Sequence, residues 1–189
     1  MHGVAAVLAL AAFQFTVEGL VPLLLIALRH EKFSDYGFIV PKMGRSLVFA
    51  AVFAAIYDVG ISWHAGVLLW MPLRRHTAVR MSLAAGMPLG LLGLASSIAA
   101  WGFLEAFFGV FFAKRVNQIF GHSGHGWLAA GALGFALFNG AVHLFIGQGL
   151  EGFLTSFASG YAIGVIPSIT KNAWGSAVFQ SLTNSVGKM

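Results

Sequence analysis

Apolar runs, most of them about 20 residues or longer, recur along the whole of this 189-residue chain and are separated by short clusters of Lys and Arg. A bilayer's hydrocarbon layer is ~30 Å thick, and a helix of about 20 residues crosses it. No water is available there to pair with backbone N–H and C=O groups, so runs of this length are read as helices. Composition agrees, with 58% hydrophobic and 9% charged residues against roughly 25% charged in an average soluble domain. The chain is therefore read as all-α, a polytopic membrane helix bundle forming one integral membrane domain over residues 1–189.

Six spans are expected: Val4 to Leu28, Ser46 to Trp70, Ser82 to Ala113, Trp127 to Ile146, Gly149 to Ile166 and Trp174 to Val186. The first lacks a basic leading segment and a small-residue cleavage site, and is read as a retained helix. The third is longer than one crossing needs and contains Pro88, which suits either a re-entrant segment followed by a helix or a single kinked helix. The net charge is +5, but the basic residues punctuate the spans, so topology explains them better than nucleic acid does. The first, third and fifth loops hold seven of the eleven Lys and Arg residues: Arg29, Lys32, Lys42, Arg45, Lys114, Arg115 and Lys171. That asymmetry favours a cytoplasmic position for the odd loops. There is no cysteine, which excludes disulfides and thiolate chemistry. No cofactor or metal is expected; His122 and His125 flank a Gly-rich turn without a third ligand nearby.

Glycine is abundant, at 24 residues, and much of it lies inside the apolar runs. Gly160 and Gly164 have the spacing of a helix-packing face. The polar residues at membrane depth matter more. Glu105 is the only ionisable residue between Leu83 and Ala113, and a charge at the bilayer centre costs ~2.5 to 3.5 kcal/mol on insertion scales, so such a residue faces the protein interior. Asn139 and His143 on the fourth span are four apart, as are Gln180 and Asn184 on the sixth, so each pair shares one helix face. Three helices thus offer polar faces to a shared site. Gln14 and Glu18, four apart on the first span, are read as lining a groove or bonding a partner helix, and Asp58 on the second as a helix-interior partner or a residue near an interface.

At these residues the chain resembles the CPBP intramembrane proteases, the family of the type II CAAX prenyl endopeptidases and of bacteriocin-processing and Abi-like proteins. That family carries Glu-Glu-x-x-x-Arg, then Phe-x-x-x-His, then His-x-x-x-Asn, each in a membrane helix. Here the three regions read Phe-Leu-Glu-Ala-Phe-Phe-Gly-Val-Phe-Phe-Ala-Lys-Arg over 103–115, Phe-Ala-Leu-Phe-Asn-Gly-Ala-Val-His-Leu over 135–144, and Ala-Val-Phe-Gln-Ser-Leu-Thr-Asn-Ser over 177–185. The segment from Leu28 to Phe38 is similar to the family's polar loop. The resemblance covers Leu28 to the C-terminus, and it implies a CPBP-like core over approximately 81–187 in a multi-pass protein of a bacterial inner membrane.

The resemblance also implies a site in which Glu and His activate water against a peptide carbonyl while the last motif stabilises the oxyanion. This chain departs from that pattern. Aligned through Phe120-Gly121, Glu105 takes the second Glu position, Leu104 the first and Gly109 the Arg position; a slip of one residue puts Glu105 first and Val110 at the Arg. His143 is kept, Asn139 stands where Phe is expected, Gln180 replaces the His of the third motif, and Asn184 remains. The expectation is a vestigial or altered catalytic set (Glu105, His143, Gln180, Asn184) with Asn139 in the same polar network. That favours a non-proteolytic accessory or scaffolding subunit, whose partners are the lipid bilayer and other membrane subunits. The alternative is an active glutamic endopeptidase acting on membrane or prenylated peptides. A transporter using the same residues ranks below both, because the chain shows no inverted repeat.

Overall fold

Where the hydropathy is apolar and the chain is described, the backbone is helical. The computed structural model describes residues 2–66, 84–120 and 126–183, and among these there is no strand. Four helical stretches are long and apolar enough to cross a membrane: Val4–Leu28 (α1), Met43–Ala65 (α2), Leu89–Ile119 (α3) and Ala130–Thr170. The last is folded back on itself. Its halves, Ala130–His143 (α4) and Gly149–Thr170 (α5), are joined at Gly147 (φ 86°) and Gly149 (φ 66°), where a side chain would be strained. Trp174–Thr183 (α6) follows; at about 1.5 Å per residue its described part spans half a bilayer.

Packing of α4 against α5 depends on small residues. A Cβ on Gly164 would lie 2.6 Å from the Ala132 Cα, one on Gly160 would lie 3.1 Å from the Ala136 Cα, and one on Gly140 would lie 3.0 Å from the Phe153 ring. As the residue number rises on one partner it falls on the other, so the two helices form an antiparallel hairpin. Without those side chains the backbones approach closely enough for van der Waals contact to hold the pair. The spacing of Gly160 and Gly164 thus serves contacts within the chain.

Two helix ends differ from expectation. The third expected span stopped at Ala113, before a charged pair, whereas α3 runs on to Ile119 and begins just after Pro88. Pro88 therefore opens a helix instead of kinking one, and α3 is continuous, with a π-helical section at Ile98–Leu104. The fifth expected span stopped at Ile166, before Pro167, but α5 continues through Pro167 to Thr170. Proline has no N–H for the carbonyl four residues earlier, here that of Ile163. The Ser176 hydroxyl on α6 donates to that Ile163 oxygen at 2.8 Å. A neighbouring helix thus supplies the hydrogen bond that proline cannot, which is how membrane helices tolerate proline.

The first connecting segment, 29–42, is tied back to the bundle. Asn172 Nδ2 donates to the carbonyls of Ile39 (2.6 Å) and Pro41 (2.9 Å), and the Ala173 amide donates to Gly37 O at 2.8 Å. Ser46 Oγ donates to Asn172 O at 2.8 Å and accepts from the Gly175 amide at 2.9 Å. Segment 29–42, the C-terminal end of α3 and the α5–α6 connection therefore meet at one end of the bundle. At the other end, His64 near the close of α2 lies 3.8 Å from Glu151 at the start of α5.

Phe33 and Phe38 of the tied segment form a contiguous aromatic cluster with Phe103, Phe107 and Trp174. Phe108 and Phe112 pack on Phe135 and Phe138 of α4. Of the phenylalanines around Glu105, Phe107 and Phe111 are buried, and Phe103, Phe108 and Phe112 are half-buried against the same core.

Ser176→Ala is expected to leave the Ile163 carbonyl without a donor and to cost about 1 to 3 kcal/mol. Pro167→Ala in the same chain is expected to recover most of that loss by restoring a backbone donor. Unfolding of the two variants and the double variant in mixed micelles measures both terms.

Candidate functional site

Glu105 is the first residue of the second α-helical part of α3, directly after the π-helical turn Ile98–Leu104. A π segment adds a residue to the helical repeat and re-aims the faces that follow; such segments are frequent at functional sites. Gly102, inside it, lets α6 come close: a Cβ there would sit 2.1 Å from Ser181 Oγ. The approach brings α6 beside Glu105.

Five helices then enclose a cavity of about 30 Å³, lined by Tyr57 of α2, Glu105 of α3, His143 of α4, Thr155, Ser156 and Ser159 of α5, and Gln180 and Thr183 of α6. That volume is roughly the share of one molecule in liquid water, and the lining is polar enough to hold one. Three of the residues singled out from the sequence, Glu105, His143 and Gln180, therefore share one cavity. Asn139 lies one turn before His143 and is buried; its Nδ2 donates to Ser156 O at 2.9 Å and to Ser159 Oγ at 3.5 Å. It braces the α5 wall of the cavity instead of lining it. Asn184 falls outside the described residues, as do His122 and His125.

His143 is oriented by its own chain. Its Nδ1 lies 2.8 Å from Gln148 Oε1; with an amide oxygen as partner, Nδ1 is the donor, and this bond fixes the orientation of the ring. Gly152 leaves the space that the Gln148 side chain fills, since a Cβ there would lie 2.3 Å from Gln148 Cβ. Gln180 is 2% exposed, and its Oε1 has no hydrogen-bond partner. A buried amide oxygen left this way costs free energy, and it offers an acceptor for a water or for a protonated carboxyl. The cavity thus combines a carboxyl group, an imidazole and an open amide acceptor around room for one small molecule. Among the described residues no three His, Cys, Asp or Glu side chains gather as a metal site would require.

The positions flanking Glu105 serve packing. The Leu104 side chain lies against Gly19 of α1, 3.1 Å from where a Cβ would stand. At Gly109 a Cβ would lie 2.5 Å from the Phe135 ring and 2.7 Å from Ile163 Cγ2. Neither position carries a charge, and the second has no room for a side chain of any length.

A second polar centre, at the tied end of the bundle, was not foreseen as a unit. Arg115 grips Glu31 with both arms, Nη1 to Oε1 at 2.9 Å and Nη2 to Oε2 at 2.7 Å. The Tyr36 hydroxyl donates to the same carboxylate and accepts from Arg115. Lys114 Nζ sits 4.0 Å above the Tyr36 ring centroid and 3.8 Å from Glu31. Arg115 was assigned from sequence to a loop; the structure places it on α3, reaching back across 84 residues to Glu31. The one available sign was an acidic residue among basic ones in the first loop. The Arg115 and Tyr36 hydrogen bonds pull the Glu31 carboxyl down from 4.5 to about 2. Burial and the adjoining Glu31 carboxylate push the Tyr36 phenol up, which keeps it a donor.

No family model, curated protein or solved structure matches the chain.

A lowered carboxyl pKa stabilises the folded state at pH values above the group's ordinary value, and the contribution is lost as pH falls through the folded value. The Glu31 contribution is expected to be complete above 4.5 and to fade towards about 2. Thermal unfolding across that window should fall more steeply in the wild type than in Glu31→Gln, whose neutral side chain has no such titration.

Proposed function

We propose that the protein is a non-proteolytic relative of the CPBP intramembrane proteases and serves as an accessory or scaffolding subunit of a membrane complex. In this reading it passes through a bacterial inner membrane six times, with α4 and α5 as separate passes. The observation that carries it is the packing at Gly109, where the resemblance expects an arginine. Phe135 and Ile163 occupy the space such a side chain would need. Leu104, at the other vacated motif position, is likewise engaged with α1 through Gly19. A lone carboxyl beside an imidazole and an amide is less costly to keep in a membrane than a charged triad, and it suits a hydrogen-bonded element that holds five helices together. Under this reading Glu105→Gln, which keeps shape and hydrogen bonding, is expected to leave assembly within about twofold of wild type. Co-migration of the tagged protein with a larger membrane complex measures it, and assembly lost in the variant alongside proteolysis by the wild type would overturn it.

One observation favours a second reading, an intramembrane endopeptidase. Glu105, His143 and Gln180 line a single cavity that suits a water, the arrangement a general base and an oxyanion donor require. It predicts cleavage of a membrane or prenylated peptide that drops by at least about 10²-fold in both Glu105→Ala and His143→Ala. Equal cleavage by both variants and the wild type would rule out this cavity as the site.

A further inference from the structure

A larger cavity of about 340 Å³ opens at the tied end of the bundle, away from Glu105. Val110 and Ala113 of α3, Gly164 and Pro167 of α5 and residues of segment 34–39 line it. Two cations, Lys114 and Lys171, line it together with the polar residues Ser34, Ser168 and Asn117. We propose that this cavity binds a phosphate ester the size of a glycerol phosphate, held by the Lys114 and Lys171 ammonium groups.

The charge around the cavity favours an anion. Glu31, the nearest carboxylate to Lys114, is held by both arms of Arg115, so its charge is already matched. Lys171 has no carboxylate within 4 Å among the described residues. Its ammonium makes one bond, to Ser168 O at 2.8 Å, and keeps two N–H donors. Asp35 is the single acidic residue of the lining, and one of its oxygens is committed to the Lys32 amide at 2.9 Å.

The backbone holds the two lysines in fixed places. Lys171 has φ of 60°, an uncommon conformation for a residue with a side chain, and its amide is bonded to Pro167 O at 2.9 Å. The adjoining Asn172 is locked to Ile39 and Pro41. Lys114 is positioned over Tyr36. The Asn117 oxygen accepts from the Gly131 amide at 2.7 Å, which leaves its NH₂ group as a neutral donor in the same lining. Ammonium groups with hydroxyl and amide donors suit phosphate oxygens. The volume exceeds what a bare phosphate fills and lies at the lower end of small-ligand pockets, roughly 300 to 1,000 Å³. Basic pockets between membrane helices near the surface bind anionic lipid headgroups, and a soluble phosphate ester offers the same chemistry.

The full-length protein tests this in two arms. In nanodiscs of phosphatidylcholine with or without phosphatidylglycerol, native mass spectrometry counts retained lipid; in detergent, calorimetry measures glycerol 3-phosphate. Saturable binding in the lipid arm assigns a headgroup, and saturable binding in the soluble arm alone assigns a free ester. In either arm Lys171→Asn and Lys114→Gln are expected to weaken binding by at least about tenfold, and Ser168→Glu to abolish it. Asn accepts the backbone conformation at 171, so Lys171→Asn decides the question even where Lys114→Gln fails to fold. No saturable binding in either arm, or equal binding by wild type and Lys171→Asn, would overturn the proposal.

Discussion

Inside a hydrocarbon layer a polar group has only the protein itself to bond with, and most of this structure follows from how the chain meets that demand. Proline at 167 removes a donor, and Ser176 of the next helix replaces it. Asn139 spends its amide on an α5 carbonyl and a serine. Asn172 collects two carbonyls from a segment more than 130 residues earlier and its own carbonyl takes the Ser46 hydroxyl. Each of these bonds joins two elements, so satisfying the polar groups also fixes the helix arrangement. Among the described residues Gln180 Oε1 is the exception, and Gln180 lines the cavity that Glu105 and His143 share.

Much of the fold was legible because hydropathy and periodicity act locally. The apolar runs became helices, and the i to i+4 spacing of Asn139 and His143 put both on one face towards α5 and the cavity. Glu105 was legible for the same reason, since a lone carboxyl in an apolar helix has to turn inward. The helix ends were less so. Lys114 and Arg115 read as a loop because charges are expected to leave the membrane, yet Arg115 is neutralised by Glu31 and both lie against aromatic rings. Pro167 read as a stop because its substitute donor is on another helix. In each case a partner distant in sequence changed the cost that local reasoning assigned.

The larger cavity was beyond sequence reading altogether. Its walls come from three separate stretches, and its polar residues are the kind that ordinary loops contain. Only the docking of segment 29–42, through Asn172 and Arg115, turns those residues into a concave surface.

The hairpin turn at Gly147 and Gly149 has a mechanical consequence. The partner that fixes the His143 ring is Gln148, which sits between those two glycines in the turn itself. The bearing of the imidazole on the cavity is therefore set by the shape of the turn itself and not by a neighbouring helix.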